Sequence, residues 1–150
     1  MGSCLGPVLA NIIMAELERE VVDPLIADGT FKFYVRYVDD TLVLMKPADI
    51  PRVLKKLNSF HPNLNFTVDA FEDDVVHFLD IRIVDNKTNV YYKNTHSAQY
   101  VHFDSFSPWR LKVSWVRALY TRAERICSDE TTFSEQLRNI TKFLSWNGFP

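Results

Sequence analysis

Residues 31–44 read FKFYVRYVDDTLVL: two β-prone apolar runs that meet at a pair of adjacent carboxylates, Asp39 and Asp40. Short runs rich in Val, Tyr and Phe on either side of turn-forming residues predict an antiparallel hairpin, here with the acids at its turn and no glycine to fix the turn type. Two side-by-side carboxylates repel each other and lose hydration when placed against apolar neighbours, a cost that a bound cation removes. Asp also favours turns through hydrogen bonds to its local backbone, which is the plainer account of such a pair. The flanks, Tyr37 and Val38 before and Thr41, Leu42 and Val43 after, argue for a tip projecting from a sheet rather than a polar loop.

The segments around this hairpin carry helical and strand periodicities. From Pro7, Leu9, Ile13, Leu17 and Val21 recur every four residues, which predicts a helix with one apolar stripe that ends at Asp23-Pro24. Asp49 as a cap and Pro51 at the first helical position predict a short helix over DIPRVLKKLNSF, buried through Val53, Leu54, Leu57 and Phe60. On that helix the Lys55-Lys56 pair reads as a solvated face. Strands are expected at Leu64 to Phe71, Val75 to Val84 and Asn89 to Lys93, with Glu72-Asp73-Asp74 and Asp85 to Thr88 as polar turns.

Beyond residue 106 the chain turns helical. Ser107 is placed to cap and Pro108 to open a helix reaching about Cys127, with Leu111, Trp115, Leu119 and Ala123 on its apolar side. After a turn at Ser128 to Thr132, Phe133, Leu137, Ile140 and Leu144 mark a last helix that Gly148 would stop. Two helices with so short a connection form a helix-turn-helix or helical hairpin. The order of elements gives an α+β fold: an antiparallel-sheet region over residues 1–105, then a helical appendage over 106–150.

Composition narrows the function. At 150 residues and 47% hydrophobic content the chain can bury its own core. It contains no run of roughly 18 apolar residues and no signal-peptide pattern, so a soluble, intracellular (nuclear or cytoplasmic) protein is expected. Cys4 and Cys127 stand far apart without metal-ligand spacing. Charge is segregated: residues 1–81 carry 7 Lys/Arg against 13 Asp/Glu, whereas residues 82–125 carry 8 against 3. The basic stretch is the expected surface for an anionic ligand.

The motif Tyr37-Val38-Asp39-Asp40, together with GSCLGPVLAN at residues 2–11 and VHFLDI at residues 76–81, resembles the palm of reverse transcriptases of the Penelope-like retroelement group. The likeness continues through NVYYKNTHSAQYVHFDSFSP and RALYTRAERICS to the terminal NGFP, with Cys4 where the family usually has Pro. The resemblance implies template-directed DNA synthesis, with an RNA template, a DNA primer and deoxynucleoside triphosphates as partners. It implies two Mg²⁺ (or Mn²⁺) ions as cofactors, with Asp39 and Asp40 as catalytic metal ligands.

By the same resemblance Gly2, Ser3, Gly6 and Pro7 would lie near the nucleotide, Tyr37 and Val38 near the primer end, and Phe78, Leu79 and Asp80 in a primer grip. The final helices would then be thumb-proximal, offering Arg110, Lys112, Arg117, Arg122 and Arg125 to phosphates. Trp109 and Trp146 are further stacking candidates, and Trp115 is expected in the core. Fingers and a palm motif bearing another metal-binding Asp would precede Met1, so the expectation is a palm-and-thumb fragment that does not polymerise alone. The alternative is a non-catalytic nucleic-acid-binding module or a domesticated or decayed remnant.

Overall fold

The computed structural model describes residues 4–69 and 74–150, which fall into two compact units, Met1–Ala70 and Phe71–Pro150. Both are mixed α+β, and each holds its own small antiparallel sheet in place of the single sheet expected. The boundary expected at 105/106 falls inside the second unit, where strands and helices share one core.

The first unit opens with α1 (Gly6–Leu17), which has Pro7 in its first turn. It runs on through a π-helical turn at Glu18–Val22 into α2 (Asp23–Ala27). Asp23-Pro24 therefore does not end the helix. Pro24 sits in the first turn of α2, directly after the π-helical turn whose widened ladder precedes it. The four-residue stripe also does not form one buried face. Leu17 and Val21 are buried but Leu9 and Ile13 are exposed, because a spacing of four in a helix of 3.6 residues per turn drifts by about 40° per step.

The core of this unit joins Leu17, Val21, Val22 and Leu25 to Phe31 and Val53, with Tyr34, Val43, Leu64 and Phe66 packed around it. Fully burying a side chain such as Leu25 contributes roughly 1.5–3 kcal/mol. Strands β1 (Phe33–Tyr37) and β2 (Asp40–Leu44) pair from Phe33 opposite Leu44 to Tyr37 opposite Asp40. A 3₁₀ turn at Pro47–Asp49 leads into α3 (Ile50–Asn58), but Asp49 makes no cap bond and instead accepts from Arg52.

No strand forms at residues 64–69. There the Asn58 side chain takes the place of a partner strand, accepting from the Phe66 N–H at 2.6 Å and donating to the Phe66 carbonyl at 3.1 Å.

In the second unit the expected strand at 75–84 is broken in the middle. β3 (Val76–Phe78) and β4 (Ile81–Val84) form a hairpin around Leu79-Asp80, and β5 (Lys87–Val90) follows a two-residue turn at Asp85-Asn86. Both turn residues have positive φ, 49° and 59°, the geometry a tight antiparallel connection needs and Asn and Asp tolerate. Strand β5 ends at Val90, so Tyr91 to Lys93 of the expected strand lie outside it.

Helices α4 (Trp109–Ile126) and α5 (Glu130–Trp146) complete the unit, burying Leu119, Ala123 and Ile140 against Val90. Ser107 does not cap α4, whose N-cap is Pro108 without a side-chain bond. α5 begins inside the expected turn: Asp129 caps it by accepting the Thr132 N–H at 2.8 Å, and the Thr132 hydroxyl donates back to the Asp129 carbonyl. That bond, with Lys87 at 3.0 Å, lowers the Asp129 carboxyl to about 2. At its other end, Gly148 (φ 75°) and Phe149 donate to the carbonyls of Ser145 and Leu144, a Schellman closure.

The turn between the helices is tied to β5. Thr88 and Ser128 exchange bonds, with Thr88 N–H to Ser128 Oγ at 3.0 Å and Ser128 N–H to the Thr88 carbonyl at 3.1 Å, and Gln136 donates to Asn89 at 2.7 Å. The helices are thus built on the sheet rather than appended to it.

Candidate functional site

The acidic hairpin is held from below. Alternation along β1 puts Tyr34 and Arg36 on the face that meets the helix, and both reach Glu18 on the first residue of the π-helical turn. The Arg36 guanidinium grips both carboxylate oxygens, at 2.6 and 3.3 Å, and the Tyr34 hydroxyl donates at 3.1 Å. The Arg36 hydrogen bond lowers the Glu18 carboxyl, while burial and the same carboxylate raise the Tyr34 phenol. Arg36 also donates to the Val38 carbonyl at 3.1 Å, so one side chain fixes the helix to the hairpin turn.

The turn itself is centred on Val38-Asp39, one residue earlier than the acidic pair, and Asp40 is the first residue of β2. Val38 has φ 58°, a left-handed conformation that costs a β-branched residue about 1–2 kcal/mol. Strain of this kind persists only where the surroundings enforce it, and here the paired strands and Arg36 do so. Tyr37, Val38, Asp39 and Asp40 are all exposed. Among the described residues neither carboxylate has an ion pair or hydrogen bond.

Two free carboxylates are hard oxygen donors of the kind Mg²⁺ takes, one or two at a time beside substrate phosphates. Among the described residues no group of three or more His, Cys, Asp or Glu side chains is placed to hold a metal. Gly2 and Ser3 lie outside the described residues. Gly6 opens α1 with open space where a Cβ would stand, and Pro7 follows it, so no close backbone approach in this structure requires that glycine.

Phe78, Leu79 and Asp80 form the β3–β4 tip. Leu79 has φ 53°, and Asp80 is not a free acid: it meets Arg122 at 3.1 Å. Arg122 also donates to the Tyr91 carbonyl and lies over the Tyr92 ring. It is consumed within the unit, which corrects its expected availability to phosphate.

Lys112 is corrected likewise. It is buried, donates to the carbonyls of Phe103 and Ser105, and faces the Phe103 ring. Arg110, Arg117 and Arg125 are exposed and, among the described residues, form no ion pair. Trp115 packs on the core between Tyr100 and Phe149, while Trp109 and Trp146 are largely exposed.

Sequence reasoning missed Glu18 and Arg36 as supports of the tip. Their signal was a cation two residues after Tyr34 on the core-facing side of a strand, a position that requires a buried partner.

Residues 99–150 match the family of the animal helix-turn-helix domain, which spans α4, α5 and the loop before them. No curated protein and no solved structure matches the chain. Among the described residues no helix is long and apolar enough to cross a membrane.

Proposed function

We propose that this chain is the palm-and-thumb part of an RNA-directed DNA polymerase of a retroelement, in which Asp39 and Asp40 hold catalytic Mg²⁺ or Mn²⁺. The observation that carries this reading is the strained, buttressed tip at Val38, which presents two carboxylates, unpartnered among the described residues, at the end of a short hairpin. Structural carboxylates elsewhere in the chain, such as Glu18 and Asp129, are engaged by donors. Bound there, the ions would supply charge neutralisation for a nucleoside triphosphate and activation of a primer hydroxyl. The chain's own residues would position that chemistry: Arg36 and Glu18 fix the tip, and Tyr37 offers an exposed ring beside it for a sugar or base.

On this reading the Asp39–Asp40 pair binds a divalent ion together with the triphosphate. Calorimetric titration with Mn²⁺ in the presence of a deoxynucleoside triphosphate tests it. Wild type should bind the ion, and Asp39→Asn/Asp40→Asn should not. Equal heats from the two proteins would refute the metal role.

A second reading is favoured by its own observation. Residues 99–150 match a helix-turn-helix domain, and α4 carries three arginines that form no ion pair among the described residues. The second unit would then bind nucleic acid whether or not the hairpin is catalytic. Loss of salt-dependent binding on charge reversal at Arg117 and Arg125, unaffected by Asp39→Ala, is its signature.

A further inference from the structure

The three free arginines of α4 are not scattered. Arg110, Arg117 and Arg125 fall seven and eight residues apart, about 20° short of and about 80° beyond two turns, so they line a stripe within a sector of about 80° on the helix. That stripe lies opposite the side that buries Lys112, Leu119 and Ala123. At a rise of 1.5 Å per residue the guanidinium-bearing positions are spaced about 10 and 12 Å along the axis. Glu124 is the only acid on the helix. Beside the stripe runs an open hollow of about 520 Å³ to which Arg117, Thr121 and Arg125 contribute.

At the N-terminal end of the same helix stand two rings in water. Phe106 is fully exposed, and Trp109 is 63% exposed with its ring edge-on to Phe103. Neighbouring rings show what this unit does with aromatics that serve packing: Tyr92, Tyr100, Trp115 and Phe143 are joined ring to ring. Phe106 has no such ring contact among the described residues.

We propose that α4 is a grip for single-stranded nucleic acid, in which Arg110, Arg117 and Arg125 follow the phosphates of one strand and Phe106 and Trp109 stack on its bases. This rests on the nucleic-acid-binding reading of the helical segment and makes it specific. Cations at regular intervals follow a backbone without reading sequence. Exposed rings select for base faces, which a duplex hides in its own stack and a single strand offers. The stripe lies on the first helix of the pair, so it does not depend on the second helix entering a groove.

Anisotropy titrations of the whole chain with a labelled oligo-thymidine, an oligo-uridine, a hairpin duplex and heparin as competitor, each at several salt concentrations, test this. The single strands should bind at least ten-fold more tightly than the duplex, and log affinity should fall with log salt at a slope of about −2, as three phosphate contacts require. The triple variant Arg110→Ser/Arg117→Ser/Arg125→Ser should lose most of that slope. Phe106→Ala/Trp109→Ala should weaken single-strand binding by about five-fold or more and leave the slope unchanged.

All five side chains are exposed, and circular dichroism melts confirm that each variant folds before it is scored. Duplex binding as tight as single-strand binding, or an aromatic variant indistinguishable from wild type, overturns the single-strand grip while leaving nucleic-acid binding intact. Absence of binding to every nucleic acid overturns both.

Discussion

Two hairpins in this chain are built alike and used differently. In Tyr37-Val38-Asp39-Asp40 and in Phe78-Leu79-Asp80-Ile81 an aromatic residue ends one strand, a bulky residue takes positive φ, and an aspartate completes the turn. In the second hairpin the aspartate is engaged by Arg122, which is itself tied to Tyr91 and Tyr92. In the first, the arginine of the hairpin grips Glu18 and the Val38 carbonyl, and both tip carboxylates stay without a partner among the described residues. The same turn geometry therefore serves packing in one place and presentation in the other, and what separates them is where the neighbouring cation goes.

The largest effect that tests this contrast is removal of the support under the free tip. Arg36→Ala leaves the part-buried Glu18 carboxylate with only the Tyr34 hydroxyl, and should cost about 2–3 kcal/mol, read as a lowered urea midpoint. A loss below about 0.5 kcal/mol would mean the tip does not depend on it.

The aspartates come next. Asp80→Asn should cost no more than about 1 kcal/mol, since the Arg122 pair is partly exposed and screened. Asp39→Asn and Asp40→Asn should leave stability within about 0.5 kcal/mol of wild type. If all three cost the same, the distinction between an engaged and a free carboxylate collapses.

Relief of the strained turns is a smaller, opposite effect. Asn tolerates left-handed backbone, so Val38→Asn and Leu79→Asn should each raise the thermal midpoint, by up to about 1 kcal/mol of stability. A drop at either position would show that side-chain packing at the tip outweighs the backbone strain.

The carboxylate that caps α5 extends the comparison to pH. Asp129 is held at about 2, below the usual value near 3.9 for an aspartate, so its folded-state pKa is depressed. Its contribution is present above about pH 4 and is lost as pH falls toward 2. Asp129→Asn should flatten the helical circular dichroism signal across that window. Unchanged acid sensitivity in the variant would assign the acid transition to other groups.

Much of this organisation is legible in the sequence where the signal is local. α3, α4 and α5, the antiparallel hairpin at 33–44 and the stop at Gly148 follow from proline and glycine placement and apolar spacing. What escaped is what depends on partners distant in sequence. A turn centred on Val38 carries no Gly or Asn to announce it, and its geometry is imposed by the paired strands and by Arg36. Lys112 and Arg122 look like any solvated cation on an amphipathic helix until the carbonyls of Phe103, Ser105 and Tyr91 arrive beside them. The strand expected at Leu64 to Phe71, of which residues 70 and 71 lie outside the described residues, has the right alternation, but over 64–69 the Asn58 amide already satisfies Phe66 and no strand is needed.

The π-helical turn at Glu18–Val22 has a consequence for chain length. Such a turn spaces its hydrogen bonds one residue wider than the α-ladder on either side, so this stretch of helix is in effect one residue longer than a regular one would be. Deleting a single residue within it would let the ladder close as an ordinary helix and leave Gly6–Leu17 in nearly the same rotational phase, because the wide turn already absorbs the extra residue. A deletion there is therefore absorbed, whereas the same deletion within Gly6–Leu17 would turn the residues before it by about 100° onto a different face.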